Sequence, residues 1–142
     1  MDAQSTITIG VLLLALITVE SGGLFMKRIV QGNVPANDLQ RSFNRAGHAH
    51  AAVLIILSIV ITIVLPVAHL TGILEIVARL GVPAAAILMP AGFFLSVLGR
   101  DPQKPSRLVA LLWAGVVCLT AGLLTSGLAI LIGGINLAHH GG

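Results

Sequence analysis

Four stretches of the chain are apolar almost without interruption, and each is bounded by charged or helix-breaking residues. The first covers residues 6–26, about 32 Å of helix and enough to cross a hydrocarbon core of about 30 Å. Lys27 and Arg28 stop it, and Asp2 rather than a basic residue precedes it, so it reads as an uncleaved span and not a signal peptide. The second covers 46–65 and ends at Pro66; Asn37 with Gln40 three residues on forms a capping box, so its helix starts well before the span. Residues 72–80 set Ile73, Leu74, Ile76, Val77 and Leu80 against Glu75 and Arg79, an acid-before-base pair at i,i+4 that predicts a short interfacial helix. The third span is 82–98, about 26 Å and near the lower limit for crossing, with Pro83 suited to a first turn and Pro90 predicting a kink. A short connection over 99–105 makes spans three and four antiparallel neighbours. Ser106 caps the fourth span, 107–132; Gly133 and Gly134 close it, and 136–142 read as a mobile tail containing His139 and His140. The expected fold is all-α: one polytopic membrane domain, a four-transmembrane-helix bundle with a short interfacial helix between spans two and three.

Composition agrees with this pattern and removes the other classes. Charged residues make up 9% of the 142 against roughly 25% in a soluble domain, and mean hydropathy is +1.03. Cys118 is the single cysteine, which excludes a disulfide framework within the chain. The net charge of +3 marks orientation rather than a nucleic-acid partner. Seven of the eight basic residues (Lys27, Arg28, Arg41, Arg45, Arg100, Lys104 and Arg107) fall after span one or span three, and only Arg79 falls on the other side. The positive-inside rule therefore places loops 27–45 and 99–106 in the cytoplasm and both termini outside, with Trp113 in the inner aromatic belt. The expected partners are the lipid bilayer and either a second copy in a homo-oligomer or a larger membrane complex.

Two rows of small residues predict helix packing. Ala110, Ala114, Cys118, Gly122 and Ser126 repeat at i+4 along span four, and Gly47, Ala51, Ser58 and Thr62 share a narrow arc of the second helix. The candidate chemistry lies in the ionisable residues inside spans, each costing roughly 2.5–3.5 kcal/mol at mid-bilayer on insertion scales. Glu20 is about 10 Å of helix from Lys27; His48 and His50 lie about 4.5 and 7.5 Å past Arg45, so Glu20 and His50 are nearly level. Glu20, His48 and His50 are the candidate metal ligands, with the two histidines also candidate ligands of a cofactor; haem or a divalent metal is the group they suit. Arg45, Ser96 and Arg100 complete a candidate polar pocket at the inner end.

Two partial resemblances attach to these residues. The run Arg45-Ala46-Gly47-His48-Ala49-His50-Ala51 opening a long apolar helix, with Gly81-Val82-Pro83 at the next, resembles the histidine-bearing helices of proteins related to haem-copper oxidase subunit I. That likeness implies His48 or His50 as a haem or metal ligand; no other histidine lies within a span, and Met89 is the nearest soft alternative. The whole chain, with four spans and a basic first inner loop running into helix two, resembles the membrane-associated eicosanoid and glutathione metabolism proteins, which implies trimers binding glutathione between protomers. Arg45 matches that family's second helix, whereas Ala49 and Ala52 stand at about its Asn and Glu positions, and the chain has no tyrosine. Neither resemblance is adopted as an identification.

Three functions follow as expectations. The first is a bundle whose intramembrane Glu/His site binds or moves a proton, metal ion or small ligand. The second is a membrane enzyme, either glutathione-transferase-like or a haem-bearing redox protein; the third is a structural or accessory subunit. With no Walker motif, zinc signature or catalytic triad in the sequence, the enzyme reading ranks below the binding reading.

Overall fold

The structure, a computed structural model, describes residues 1–140, the last by its backbone only; Gly141 and Gly142 lie outside the described residues. Four helices account for nearly all of it: α1 (Ala3–Val30), α2 (Asp38–Val64), α3 (Gly72–Ser96) and α4 (Ala110–His140). Each is long and apolar enough to cross a membrane. The linkers after α1 and α3 gather at one end, called here the loop end, and the chain's N-terminus lies near the α2–α3 connection at the other.

The helix ends are set by local chemistry. Asp2 caps α1 by accepting the Ser5 N–H at 2.7 Å. At its far end the Gly32 N–H bonds the Ile29 carbonyl and the Asn33 N–H that of Arg28; this pairing needs a left-handed residue, and Gly32 supplies it at φ 76°. In α2 the capping box is complete: Asn37 Oδ1 accepts the Gln40 N–H at 2.8 Å, and Gln40 Oε1 accepts that of Asn37 at 3.1 Å. Pro66 cannot continue α2, and the chain turns through a 3-10 segment, Leu65–Ala68, into His69 at φ 48°.

Two boundaries differ from the sequence expectation. Residues 72–80 are not a separate interfacial helix, because α3 runs unbroken from Gly72 to Ser96 through Gly81, Pro83 and Pro90. Gly81 is a contact point rather than a break: a Cβ there would lie 2.6 Å from Gly122 Cα and 2.8 Å from the Cys118 carbonyl oxygen of α4. Likewise Gly133 and Gly134 do not end α4, which continues to His140. Gly133 is where α4 passes the Val67 carbonyl, 2.8 Å from the place a Cβ would take. The residues 136–140 are thus helical.

The core is a seam of α2, α3 and α4, with Leu54, Ile61, Leu65, Ala78, Val82, Ala85 and Met89 buried together. α3 and α4 make the most extensive contact. Their backbones meet at Gly81 with Gly122, Gly92 with Leu112 and Gly115 with Met89, and Ser126 Oγ donates to the Ala78 carbonyl at 3.2 Å. Small residues permit this approach, which in lipid supplies the packing that a hydrophobic effect supplies in water. The i+4 row is only half used: Gly122 and Ser126 are buried and Cys118 partly so, whereas Ala110 and Ala114 are exposed. At 100° per residue an i+4 row drifts about 40° each step, so five members cannot stay on one face. On α2, Gly47, Ala51 and Ser58 are buried and Thr62 is half-buried, with Ser58 and Thr62 bonding back to the Leu54 and Ser58 carbonyls.

α1 is attached differently. Its buried side chains are Ser5 and Ile29, one near each end, and its most apolar stretch has none. At the N-terminal end Arg79 of α3 reaches across to Ser5 Oγ and Asp2 Oδ2, each at 3.5 Å, while its Nε sits 3.0 Å from Glu75 Oε1. The Nε contact is an ion pair without hydrogen-bond alignment.

Candidate functional site

At the loop end the capping residues of α2 do a second job. Asn37 Nδ2 donates to Asp101 Oδ1 at 2.7 Å and to the Pro102 carbonyl at 2.8 Å; Gln40 Nε2 donates to the Val97 and Gly99 carbonyls at 3.1 and 3.0 Å. The Ser106 N–H closes the same loop on the Ser96 carbonyl at 2.7 Å. The start of α2 and the end of α3 are therefore fixed to one another, and Gly99, at φ 131°, makes the bend.

Above this clamp lies a cavity of about 420 Å³ between α1, α2 and α3. Phe25, Met26 and Ile29 of α1 form one wall, Phe94, Val97 and Leu98 another, and the linker residues Val34, Pro35 and Ala36 close the end. The polar wall is a stripe of α2, Gln40, Asn44 and His48, spaced i, i+4, i+8 on one helix face. Gln40 is engaged by the clamp. The side chains of Asn44 and His48 make no hydrogen bond with another described residue. His48 lies against a place on α1 with no side chain: a Cβ at Gly22 would lie 3.3 Å from its Nδ1, and one at Gly23 3.6 Å from its Nε2. The glycine pair makes room for the imidazole.

The residues singled out from the sequence are placed as follows. His50 turns away from His48 toward α3, with Nδ1 2.7 Å from the Ala46 carbonyl and its ring 5.0 Å from that of Phe93. Glu20 is exposed and joined to neither histidine by a hydrogen bond or ion pair. Glu20, His48 and His50 are not assembled as ligands, and no group of three metal-binding side chains occurs among the described residues. The two histidines are 200° apart on their helix, so one metal or haem iron cannot meet both. Met89 is buried against Gly115 in the α3–α4 seam and faces neither. The polar pocket of Arg45, Ser96 and Arg100 does not form either. Ser96 is buried with its hydroxyl donated back to the Phe93 carbonyl, Arg100 is exposed beyond the Gly99 bend, and Arg45 borders an open depression with Arg41 and Ser42.

Sequence reasoning missed Asn44 and the second role of Gln40. Their i, i+4, i+8 spacing with His48 was the available signal. Comparison with protein-family models, curated proteins and solved structures finds no match for this chain.

Proposed function

We propose that this protein is an integral membrane bundle that binds a small ligand in the loop-end cavity, with His48 and Asn44 as its polar contacts. One observation carries the reading: a half-open, mainly apolar space between three helices holds two half-buried side chains with hydrogen-bonding capacity and no partner of their own among the described residues. Such groups cost free energy when dry and unpaired, and a ligand that bonds them recovers it. Pockets of about 300–1,000 Å³ with apolar walls and a few convergent polar groups are the usual form of small-molecule sites. Imidazole both donates and accepts, so His48 suits a ligand that exchanges hydrogen bonds or a proton. The positive-inside rule, applied to the basic residues at this end, supports a cytoplasmic side for the cavity.

Native mass spectrometry of the protein released gently from its own membrane tests the reading. Wild type retains a small-molecule adduct; His48→Leu and the cavity-filling Ala36→Phe lose it, and Glu20→Gln keeps it. An adduct indifferent to both cavity variants overturns the proposal, and so does a bare wild-type mass when no added small-molecule probe binds either.

A second reading is supported by Glu20, which lies on a surface of α1 shared with Ile17 and Leu24, 61% and 66% exposed. A carboxyl there is costly in lipid and suits burial against another helix, either of a second copy or of a larger complex. The same spectra report it: oligomer or complex in wild type, monomer in Glu20→Leu.

A further inference from the structure

We infer that the cavity takes an uncharged, membrane-dissolved ring compound carrying carbonyl or hydroxyl oxygens, of the quinone or quinol class. This rests on the ligand-site reading above and narrows it by four observations. First, no Asp, Glu, Lys or Arg lines the cavity, so a carboxylate, phosphate or ammonium head would enter without a counter-charge. Second, Asn44 and His48 are one turn apart, about 6 Å along the helix axis, which suits oxygens at separate points of one ring better than a single terminal hydroxyl. Both side chains donate to a carbonyl and accept from a hydroxyl, so either oxidation state of such a ring finds partners. Third, Phe25 of α1 and Phe94 of α3 both line the cavity and offer a flat ring aromatic surface. Fourth, the walls include Phe25 and Leu98, 47% and 70% exposed on membrane-crossing or membrane-adjacent segments, so the approach is from lipid.

Two of the other spaces do not match this chemistry. An apolar groove of about 480 Å³ between α1, α2 and α3 offers only the hydroxyls of Thr8 and Thr18, and Thr18 Oγ1 is already bonded to the Ala15 carbonyl. A depression of about 690 Å³ is lined by Asp38, Arg41 and Arg45 and is open to charged molecules.

The test uses the full chain in phosphatidylcholine nanodiscs with decylubiquinone, its reduced quinol, dodecanol and dodecanoate as probes. Saturable binding of decylubiquinone or its quinol, absent for dodecanol and dodecanoate, is expected. His48→Leu and Asn44→Leu each weaken it about tenfold, the scale of one lost hydrogen bond in a dry site. His48→Gln, which keeps a donor and an acceptor, restores part of the affinity. Thermal unfolding of every variant is followed in the same discs, and His48→Gln with Asn44→Ser serve if a leucine variant does not fold. Equal binding of dodecanol or dodecanoate, or undiminished decylubiquinone binding in folded variants, overturns the assignment. An adduct retained from the native membrane that neither quinone nor quinol displaces overturns the ligand class and leaves the cavity reading standing; no adduct and no probe binding overturn both.

Discussion

Asp2 shows how much one exposed residue can organise. Its carboxylate is held below its ordinary value of 3.8 first by the Ser5 backbone N–H and then by the Ser5 side chain; desolvation opposes them, and Arg79 adds a smaller lowering. Because the folded value is depressed, this contribution is complete above the ordinary value and is lost as pH falls through the lower, folded one. Hydrogen-exchange protection factors in the first turns of α1 should therefore fall on acidification below about pH 4 in wild type but not in Asp2→Asn, which starts with low protection. Arg79→Ala is expected to loosen the same turns at neutral pH only slightly, since the ion pairs it removes are partly exposed and screened by solvent. The sequence exposed the Glu75–Arg79 pair, since both partners sit on one helix, but not Asp2 or Ser5, which lie more than seventy residues away. Glu20 was legible in depth and not in direction. Depth follows from counting 1.5 Å per residue, whereas α1 is apolar nearly all round and carries almost no rotational phase.

Among the elements, the glycine contacts between α3 and α4 are the least tolerant of change. Gly122→Ala would set a Cβ 3.0 Å from Gly81 Cα and the Val82 backbone nitrogen, and since those neighbours are backbone the helices must part. Overpacking of this kind costs about 1–3 kcal/mol, readable as a lower midpoint of thermal unfolding in detergent. Ala114→Gly, on the exposed part of the same i+4 row, is expected to cost only its helix propensity, about 1 kcal/mol. Asn37→Ala removes a cap worth about 1 kcal/mol and also the bonds to Asp101 and Pro102, so faster amide exchange over residues 99–106 should accompany the loss. Four helices, the capping box and the Ser106 cap were legible because each is written in a local run of residues. The continuity of α3 was not. Gly81 followed by Val82 and Pro83 reads as a boundary locally, and only the backbone of α4 explains the glycine.

At the scale of the whole molecule, α2, α3 and α4 share the buried core, and α1 is held at its two ends and by α2 between them. Protease cleavage within the linker 31–37 should leave α2–α4 assembled in detergent while α1 dissociates first on heating, followed by band recovery on a gel; release of α4 before α1 would contradict this order. The cavity was the least legible feature of all, since its walls come from three helices and a linker, and only its polar stripe is contiguous in helical spacing. The clamp beneath it also bears on biogenesis. Gln40 emerges from the ribosome long before the Val97 and Gly99 carbonyls that it binds, so the cavity has no floor until the third helix has been made. A ligand cannot be enclosed during early synthesis. If the cavity takes a ligand as proposed, loading follows synthesis of the third helix, and a nascent chain arrested at residue 90 would display α1 and α2 with that floor still missing.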